Sequence, residues 1–381
     1  MPQQDVAVLG CESYNRELVE YSVQRALDLL GGPGEIVGRG RSVFIKVNAL
    51  RPSPPEKAIT THPEVVRALV RQLQAVAGSI VIGDSPGGPF RPSLLKRTYE
   101  KTGFARVAEE TGAYLGLDTS VKRVTVPDAR KLKSVTICGA MLEADHLVSV
   151  SKLKTHMLVN VTAAAKNLYG AVPGMMKFTY HSRFHRAKDF ADLLVDVLLA
   201  ADPCFHLVDA VVGMDGNGPS RGDIKKMGVI AAGRDALALD TVMMGLIGLA
   251  PRVNRVLAAA EGRGLCGGGA SVIKAVGDDL GSLKVEGFRL PDKKDITSRI
   301  PPFLQERFGH LLSLRPVPEP GRCTGCGKCA SICPVEAITV EGGLALVDAR
   351  KCRGCYCCHE LCEEDAIELE RPLFMRLARM G

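Results

Sequence analysis

Two cysteine runs near the C-terminus limit what this chain can become: CTGCGKCASICP, from Cys323 to Pro334, and CRGCYCCHELCE, from Cys352 to Glu363. Each has the spacing C-x2-C-x2-C-x3-C. Three thiolates this close together wrap one corner of an iron–sulfur cubane, while the fourth points away into the neighbouring cluster. The spacing therefore predicts one [4Fe-4S] cluster on Cys323, Cys326, Cys329 and Cys362, and a second on Cys352, Cys355, Cys358 and Cys333. Structural zinc is the competing reading. It is disfavoured because zinc sites usually set two C-x2-C knuckles across a longer loop. Glu363 stands where a proline is expected after the last cysteine, which loosens a turn without removing a ligand. Cys357, a fifth thiol in the second run, falls outside the ligand set.

The remaining cysteines, Cys11, Cys138, Cys204 and Cys266, lie beside apolar residues and read as small buried hydrophobes. Nine of thirteen cysteines in one short stretch argue for metal rather than disulfides, since MPQQDVAVLG lacks the basic start and apolar run of a signal peptide. The expected compartment is the cytoplasm. No stretch is apolar and long enough to span a membrane.

The cysteine region resembles bacterial two-cluster ferredoxins over about residues 316 to 370, including the strand-like AITV and ALVD between the runs. The resemblance implies a small α+β ferredoxin-like domain and a one-electron relay. A chain of 381 residues leaves room for a much larger domain that such a relay would serve. The expected organisation is an α/β domain over 1–290, a linker over 291–315 around PDKKDITSRIPP, the ferredoxin-like domain over 316–370 and a basic tail over 371–381.

In the first part, short apolar segments (VAVLG, SVFIKVN, SIVIGD, HLVSVSK, FHLVDAVVG, MGVIAAG) alternate with amphipathic stretches such as NRELVEYSVQRALDLL and PEVVRALVRQLQAV. This alternation predicts an α/β fold with a mainly parallel or mixed sheet and flanking helices. Ligands of such sheets collect beyond the carboxyl ends of the strands. Polar residues fall there: Lys46 and Asn48 after the second segment, Asp84 in GDSPGG, Lys152, Lys154 and His156 after HLVSVS, and Asp209, Asp215 and Asn217 around DGNGP. Neither a Walker sequence nor a G-x-G-x-x-G after the first strand is present, so a conventional ATP or NAD enzyme is disfavoured.

The segment SKLKTHMLVNVTAAAKNLYGAVPG, residues 151–174, sits inside an interval without Asp or Glu that runs from Asp145 to Asp189 and holds four of the eight histidines. A solvated helix face would mix both signs of charge. A one-signed region with imidazoles favours an anion and can supply protons near neutral pH. A helix over 156–169 is expected, with Leu158, Val161, Ala165 and Leu168 as its core stripe, His156, Asn160 and Asn167 on another face, and Lys166 in line with Thr162. The C-terminal 66 residues carry a net charge of −2 against +7 for the whole, so the positive excess belongs to the larger domain. Phe178, Tyr180 and Phe184 interleave with basic residues, but aromatics are sparse and no nucleic-acid motif is present, so nucleic acid is disfavoured as a partner.

The motifs GDSPGG, SKLKTH, AAAKNLYG and DAVVGMDGNGP, in this order ahead of the cysteine runs, resemble the family known as domain of unknown function 362. The resemblance spans nearly the whole chain and implies an iron–sulfur redox protein without implying a substrate. The family's lysine, histidine and asparagine positions correspond to Lys152, Lys154, His156, Lys166 and Asn167, and its acidic loop to Asp209, Asp215 and Asn217.

The expectation that follows is an iron–sulfur oxidoreductase acting on an anionic substrate or cofactor and served by a redox partner protein. Lys154 and Lys166 would hold the anion, His156 would exchange a proton and Asn167 would orient either one. Lys46, Asn48, Asp84, Lys152, Asp209, Asp215 and Asn217 would complete the binding site, with the aspartates open to a hard cation such as Mg2+. The alternatives are an electron carrier or assembly protein docking an acidic partner, and a metal-dependent, non-redox enzyme with a fused ferredoxin module.

Overall fold

The computed structural model describes residues 4–265, 272–291 and 314–370. The expected linker, all but its edges, and the basic tail lie outside these residues, as does Cys266. The chain divides into two compact units. The first comprises, of the described residues, 4–174 and 187–291, and the second 175–186 and 314–370. Residues 175–186 thus group with the cysteine region, not with the α/β domain in which a 1–290 boundary places them.

The first unit is a mixed sheet. Its strands are β1 (Gln4–Gly10), β2 (Ser42–Lys46), β3 (Ser79–Gly83), β4 (Tyr114–Leu115), β7 (His146–His156), β8 (Asn160–Thr162), β9 (Phe205–Asp215), β10 (Asp223–Gly233) and β11 (Ile273–Gly277). A separate hairpin is formed by β5 (Val121–Thr125) and β6 (Ser134–Cys138). The order is β11-β1-β10-β9-β7-β2-β3-β4, with β8 folded back on β7. β9, β7, β2, β3 and β4 run parallel, while β10 is antiparallel to both β9 and β1. The four strand ends singled out in the sequence belong to adjoining parallel strands and so collect at one edge of the sheet.

Helix Arg16–Asp28 starts where the Asn15 side chain accepts Leu18 N–H, and it buries Val19, Val23, Ala26 and Leu27. Helix Pro63–Gln74 starts with proline at its first turn and the His62 ring accepting Glu64 N–H. These helices share a core with Leu9, Ile45, Ile82, Val150 and Leu207, one from each of five sheet strands. Cys11 and Cys138 are buried as expected, whereas Cys204 is partly exposed.

The expected helix over 156–169 does not form. β7 runs on to His156, the chain turns through Met157–Val159, and β8 pairs back antiparallel with Lys154 opposite Thr162 and His156 opposite Asn160. Only Ala164–Asn167 is α-helical, followed by a 3-10 turn over Leu168–Ala171. Two features defeat the helical period: Asn160 adopts φ 71°, a left-handed conformation that ends a helix, and Val159, Val161 and Thr162 are β-branched. Leu158, Val161, Ala165 and Leu168 are buried all the same, the first two in the hairpin and the others in the short helix and the 3-10 turn.

β7 is buried from Leu147 to His156, so its lysines need partners inside the protein. Lys152 lies opposite Asp209 in the β7–β9 ladder, and its Nζ is 2.6 Å from Asp209 Oδ2. The ladder then shifts register between Lys152 and Lys154, the latter pairing with Met214. Removing one partner strands the other as a buried charge. Asp209→Asn is expected to destabilise the α/β unit by roughly 3–5 kcal/mol in urea denaturation. An Asp209→Asn protein as stable as wild type would contradict the pairing.

Candidate functional site

Lys46, at the end of β2, is fully buried, and its Nζ lies 2.8 Å from Asp84 Oδ1, just past β3. The same ammonium donates to the Val47 carbonyl at 2.6 Å and to Asn167 Oδ1 at 3.2 Å. Asn167 Oδ1 also accepts Asn48 Nδ2 at 3.2 Å, and Asn167 Nδ2 donates to Ser149 Oγ at 2.9 Å. Asn48 Oδ1 in turn accepts Lys154 Nζ at 2.9 Å, while Lys154 donates to the Ile59 carbonyl at 2.5 Å. One hydrogen-bonded chain, Asp84–Lys46–Asn167–Asn48–Lys154, thus crosses the strand ends with Asn167 at its hub. A Cβ at Gly170 would collide with Lys46 Nζ and Asp84 Oδ1, so glycine lets the backbone close over the pair.

A second group surrounds Asp209. Its Oδ1 accepts Tyr14 OH at 2.8 Å and its Oδ2 accepts His62 N–H at 2.9 Å. Lys152 Nζ also donates to Tyr14 OH at 2.7 Å, and the Tyr14 ring stacks on His62 with centroids 3.5 Å apart. Burial pushes the His62 imidazole down to about 4, against the opposing pull of Asp209, which leaves it neutral near pH 7. Burial also pushes the ammonium groups of Lys46 and Lys152 below their ordinary range, with Asp84 and Asp209 pulling them back.

His156 closes the hairpin turn. Its Nδ1 accepts Leu158 N–H at 3.1 Å and Val159 N–H at 3.4 Å, and its ring lies parallel to Phe190. An Nδ1 that accepts two backbone donors leaves the ring proton on Nε2. Lys166 is partly exposed on the short helix, next to the buried Asn167.

The structure therefore joins Lys46, Asn48, Asp84, Lys154 and Asn167 in one network and Lys152 with Asp209 in another. Asp215 ends β9 and is held by Arg289, 2.8 Å from Oδ1, and Asn217 is exposed in the loop beyond it. The acid-free interval is free of acids only along the chain. Asp84 and Asp209 come in from neighbouring strands, and 175–186, with His181, His185 and two arginines, belongs to the second unit. Sequence reasoning missed Tyr14 and His62, which reach Asp209 across 195 and 147 residues and carry no local signal.

It also missed Asp240, for which a signal existed: a lone acid inside the apolar run ALALDTVMMGL. Its carboxylate accepts Ala164 N–H at 2.6 Å and Ala165 N–H at 3.2 Å, and so caps the short helix that carries Lys166 and Asn167. Burial pushes Asp240 up to about 7, against the two backbone donors. The folded state thus keeps a proton that the unfolded state gives up above about 4, and stability falls as pH rises from about 4 to 7. Asp240→Asn is expected to flatten that slope when urea midpoints at pH 5 and pH 8 are compared with wild type; an unchanged slope would refute the assignment.

In the second unit, strands β12 (Arg315–Pro318) and β15 (Ile367–Glu370) pair antiparallel, as do β13 (Ile338–Glu341) and β14 (Leu344–Val347). The two cysteine runs repeat each other in backbone conformation. Positive φ recurs at Gly325 and Gly354 (62° and 65°), at Gly327 and Tyr356 (73° and 61°), and at Glu336 and Asp365 (49° and 50°). Ala337 N–H donates to Cys333 Sγ and Ala366 N–H to Cys362 Sγ, both at 3.3 Å. The thiols group across the runs. Cys333 lines one cavity with Cys352, Cys355 and Cys358. Burial pushes the Cys329 thiol up, and Cys362, Cys326 and Cys323 add to it as near neighbours. This donor chemistry fits two four-thiolate sites with shared connectivity. Glu363, in the place of the expected proline, forms an ion pair with Lys328 at 2.9 Å. Among the described residues, no helix is long and apolar enough to cross a membrane.

A 4Fe-4S binding domain matches residues 316–339, over the first cysteine run, and marks the chain as an iron–sulfur protein. A thylakoid-associated protein of Synechocystis is 30% identical over 328 residues, covering 83% of this chain and 96% of that protein. Among solved structures, the lactate racemase apoprotein of Thermoanaerobacterium thermosaccharolyticum aligns at a TM-score of 0.39 and 20% identity, over 60% of this chain and 54% of that one. A Thermotoga maritima protein aligns at 0.34 and 10%, over 54% and 52%. The chain spans about half the length of these two structures. The domain of unknown function DUF362 matches residues 43–245, from β2 to helix Ala236–Leu246 and so across both hydrogen-bonded networks apart from Tyr14; the chain belongs to this family.

Proposed function

We propose that this protein is an oxidoreductase in which two [4Fe-4S] clusters exchange electrons with an anionic substrate or cofactor bound by the α/β unit, with a redox protein as the external partner. The observation that carries the reading is the crossed grouping of eight thiols on two copies of one backbone. Cys323, Cys326, Cys329 and Cys362 would hold one cluster, and Cys352, Cys355, Cys358 and Cys333 the other. Such clusters supply one-electron transfer at potentials set by hydrogen bonds to sulfur, charge and exposure.

In the α/β unit, Lys46 and Lys152 are each matched by a carboxylate, and the reading gives the anion-holding role to Lys154 and Lys166. Asn48 and Asn167 fix the position of Lys154 through the network. His156 exchanges its proton at Nε2, because Nδ1 is engaged by backbone donors. Asp84, Asp209 and Asp215 are engaged by Lys46, Lys152 and Arg289, so the reading assigns them no divalent cation.

Anaerobically isolated protein is expected to bind about eight iron and eight sulfide per chain. In the crossed scheme, Cys352→Ser with Cys333→Ser damages one cluster only, whereas Cys323→Ser with Cys333→Ser damages both. Iron content and EPR of the two double variants distinguish the schemes, and the reverse pattern would sink the assignment. For the α/β site, native mass spectrometry of cluster-replete protein is expected to show a small anion retained by wild type and weakened about a hundredfold or more by Lys166→Ala. Retention unchanged in both Lys166→Ala and Lys154→Ala would rule these lysines out as its holders.

A further inference from the structure

We propose that the exposed cations of residues 350–353, beside the second cysteine run, form the surface on which an acidic one-electron carrier protein docks. The inference rests on the reading above in one respect, that the chain exchanges electrons with a redox protein. It adds which cysteine run that partner meets and the sign of the partner's charge. The segment reads RKCR, so Lys351 and Arg353 flank Cys352. Arg350, Lys351 and Arg353 are all exposed. Among the described residues, Lys351 and Arg353 form no ion pair, and the exposed Arg350 side chain reaches Asp348 at a loose 3.5 Å. Arg353 lines the cavity shared by Cys333, Cys352, Cys355 and Cys358, and among the described residues it is the one Lys, Arg, Asp or Glu on that wall. The wall also carries the exposed Pro334, a small apolar contact beside the charge. A partner seated on these side chains stands against the second cysteine run.

The first run repeats the backbone with its charges already matched. Arg322, ahead of its first cysteine as Lys351 is in the second run, pairs with Glu319 and, at 2.6 Å, with Glu368. Thr324 takes the place of Arg353, and Lys328 pairs with Glu363 at 2.9 Å. Cys326 is exposed, so the first run is open to solvent, yet an acidic partner meets no unmatched cation within it. The C-terminal 66 residues carry a net charge of −2, so the basic segment is a local reversal of sign and not the general field of the region. Exposed charge pairs are individually weak, so docking needs several of them, and a protein surface supplies several carboxylates where a small anion supplies one or two. Complementary charge of this kind speeds encounter and fixes the orientation of the partner.

The test takes the whole chain, loaded anaerobically and assayed for iron and sulfide, and measures its affinity for two probes: a flavodoxin, as an acidic one-electron carrier, and a cytochrome c, as a basic one. Wild type is expected to bind the flavodoxin and to release it as salt is raised. Lys351→Gln with Arg353→Gln should keep the wild-type iron content and lose about tenfold in flavodoxin affinity at low salt, while Lys328→Gln in the first run loses less than about twofold. No binding of flavodoxin by wild type, or unmoved affinity in a fully loaded double variant, overturns the proposal. An equal loss in Lys328→Gln overturns it too, since the general field would then be the cause, as does cytochrome c binding as tightly as flavodoxin. Should the double variant lose iron, Lys351→Gln alone is measured, because that side chain lies outside the cysteine spacing, and unchanged affinity there overturns the proposal. The iron count of the wild type tests the two-cluster reading separately: fewer than about eight irons, with flavodoxin binding that still depends on Arg353, sinks that reading and supports the surface.

Discussion

Three ammonium groups, those of Lys46, Lys152 and Lys154, are packed at the ends of adjoining parallel strands at 2% exposure or less. An isolated buried charge costs several kcal/mol, so the surrounding chain has to be arranged around these three. Asp84 and Asp209 answer two of them, and carbonyl and amide oxygens from Ile59 and Asn48 answer the third. The arrangement fixes more than the lysines. It places Asp84 at the turn after β3, determines where β9 may lie against β7, and demands a glycine at position 170. Buried ion pairs are poor contributors to net stability, but each admits very few geometries. A strand end that must match a particular carboxylate cannot slip in register.

The same constraint revises the electrostatic reading of the sequence. Counting charge along residues 145 to 189 gives a one-signed segment, yet the sheet brings Asp84 and Asp209 to it from outside. The residues to which the proposed reading gives a role, Lys154, His156, Lys166 and Asn167, lie on β7, at the hairpin turn and on the short helix. These positions are prepared in detail: Nδ1 of His156 is occupied by two backbone donors and the helix is capped from a distance by Asp240. Preorganisation of this kind is what an electrostatic site requires, because groups already oriented need no rearrangement when charge develops on a ligand.

The parts of the molecule that were legible in the sequence share one property, which is that their signals are local. The cysteine spacing marks an iron–sulfur domain within a dozen residues, and the alternation of VAVLG or SIVIG with amphipathic stretches encodes strand and helix without reference to distant partners. The hairpin at 156–162 was misread because its apolar residues also fit a helical period. What decides between the two is the left-handed turn at Asn160 and the Asn160 amide bond to the Val253 carbonyl at 2.8 Å, a contact 93 residues away. Tyr14 and His62 were invisible as site residues for the same reason, and Asp240 showed only as a lone acid inside an apolar run. Their roles exist only once β9 and helix Ala236–Leu246 are in place.

The two cysteine runs show how function can be divided on a repeated backbone. Gly327 and Tyr356, Lys328 and Cys357, and Pro334 and Glu363 occupy matching positions with unlike chemistry. The first run leaves Cys326 exposed, whereas Cys358 of the second is buried. Burial disfavours the extra negative charge of a reduced cluster, and hydrogen-bond donors to sulfur offset that effect. On the two-cluster reading, sites of equal ligation but unequal burial are expected to differ in potential.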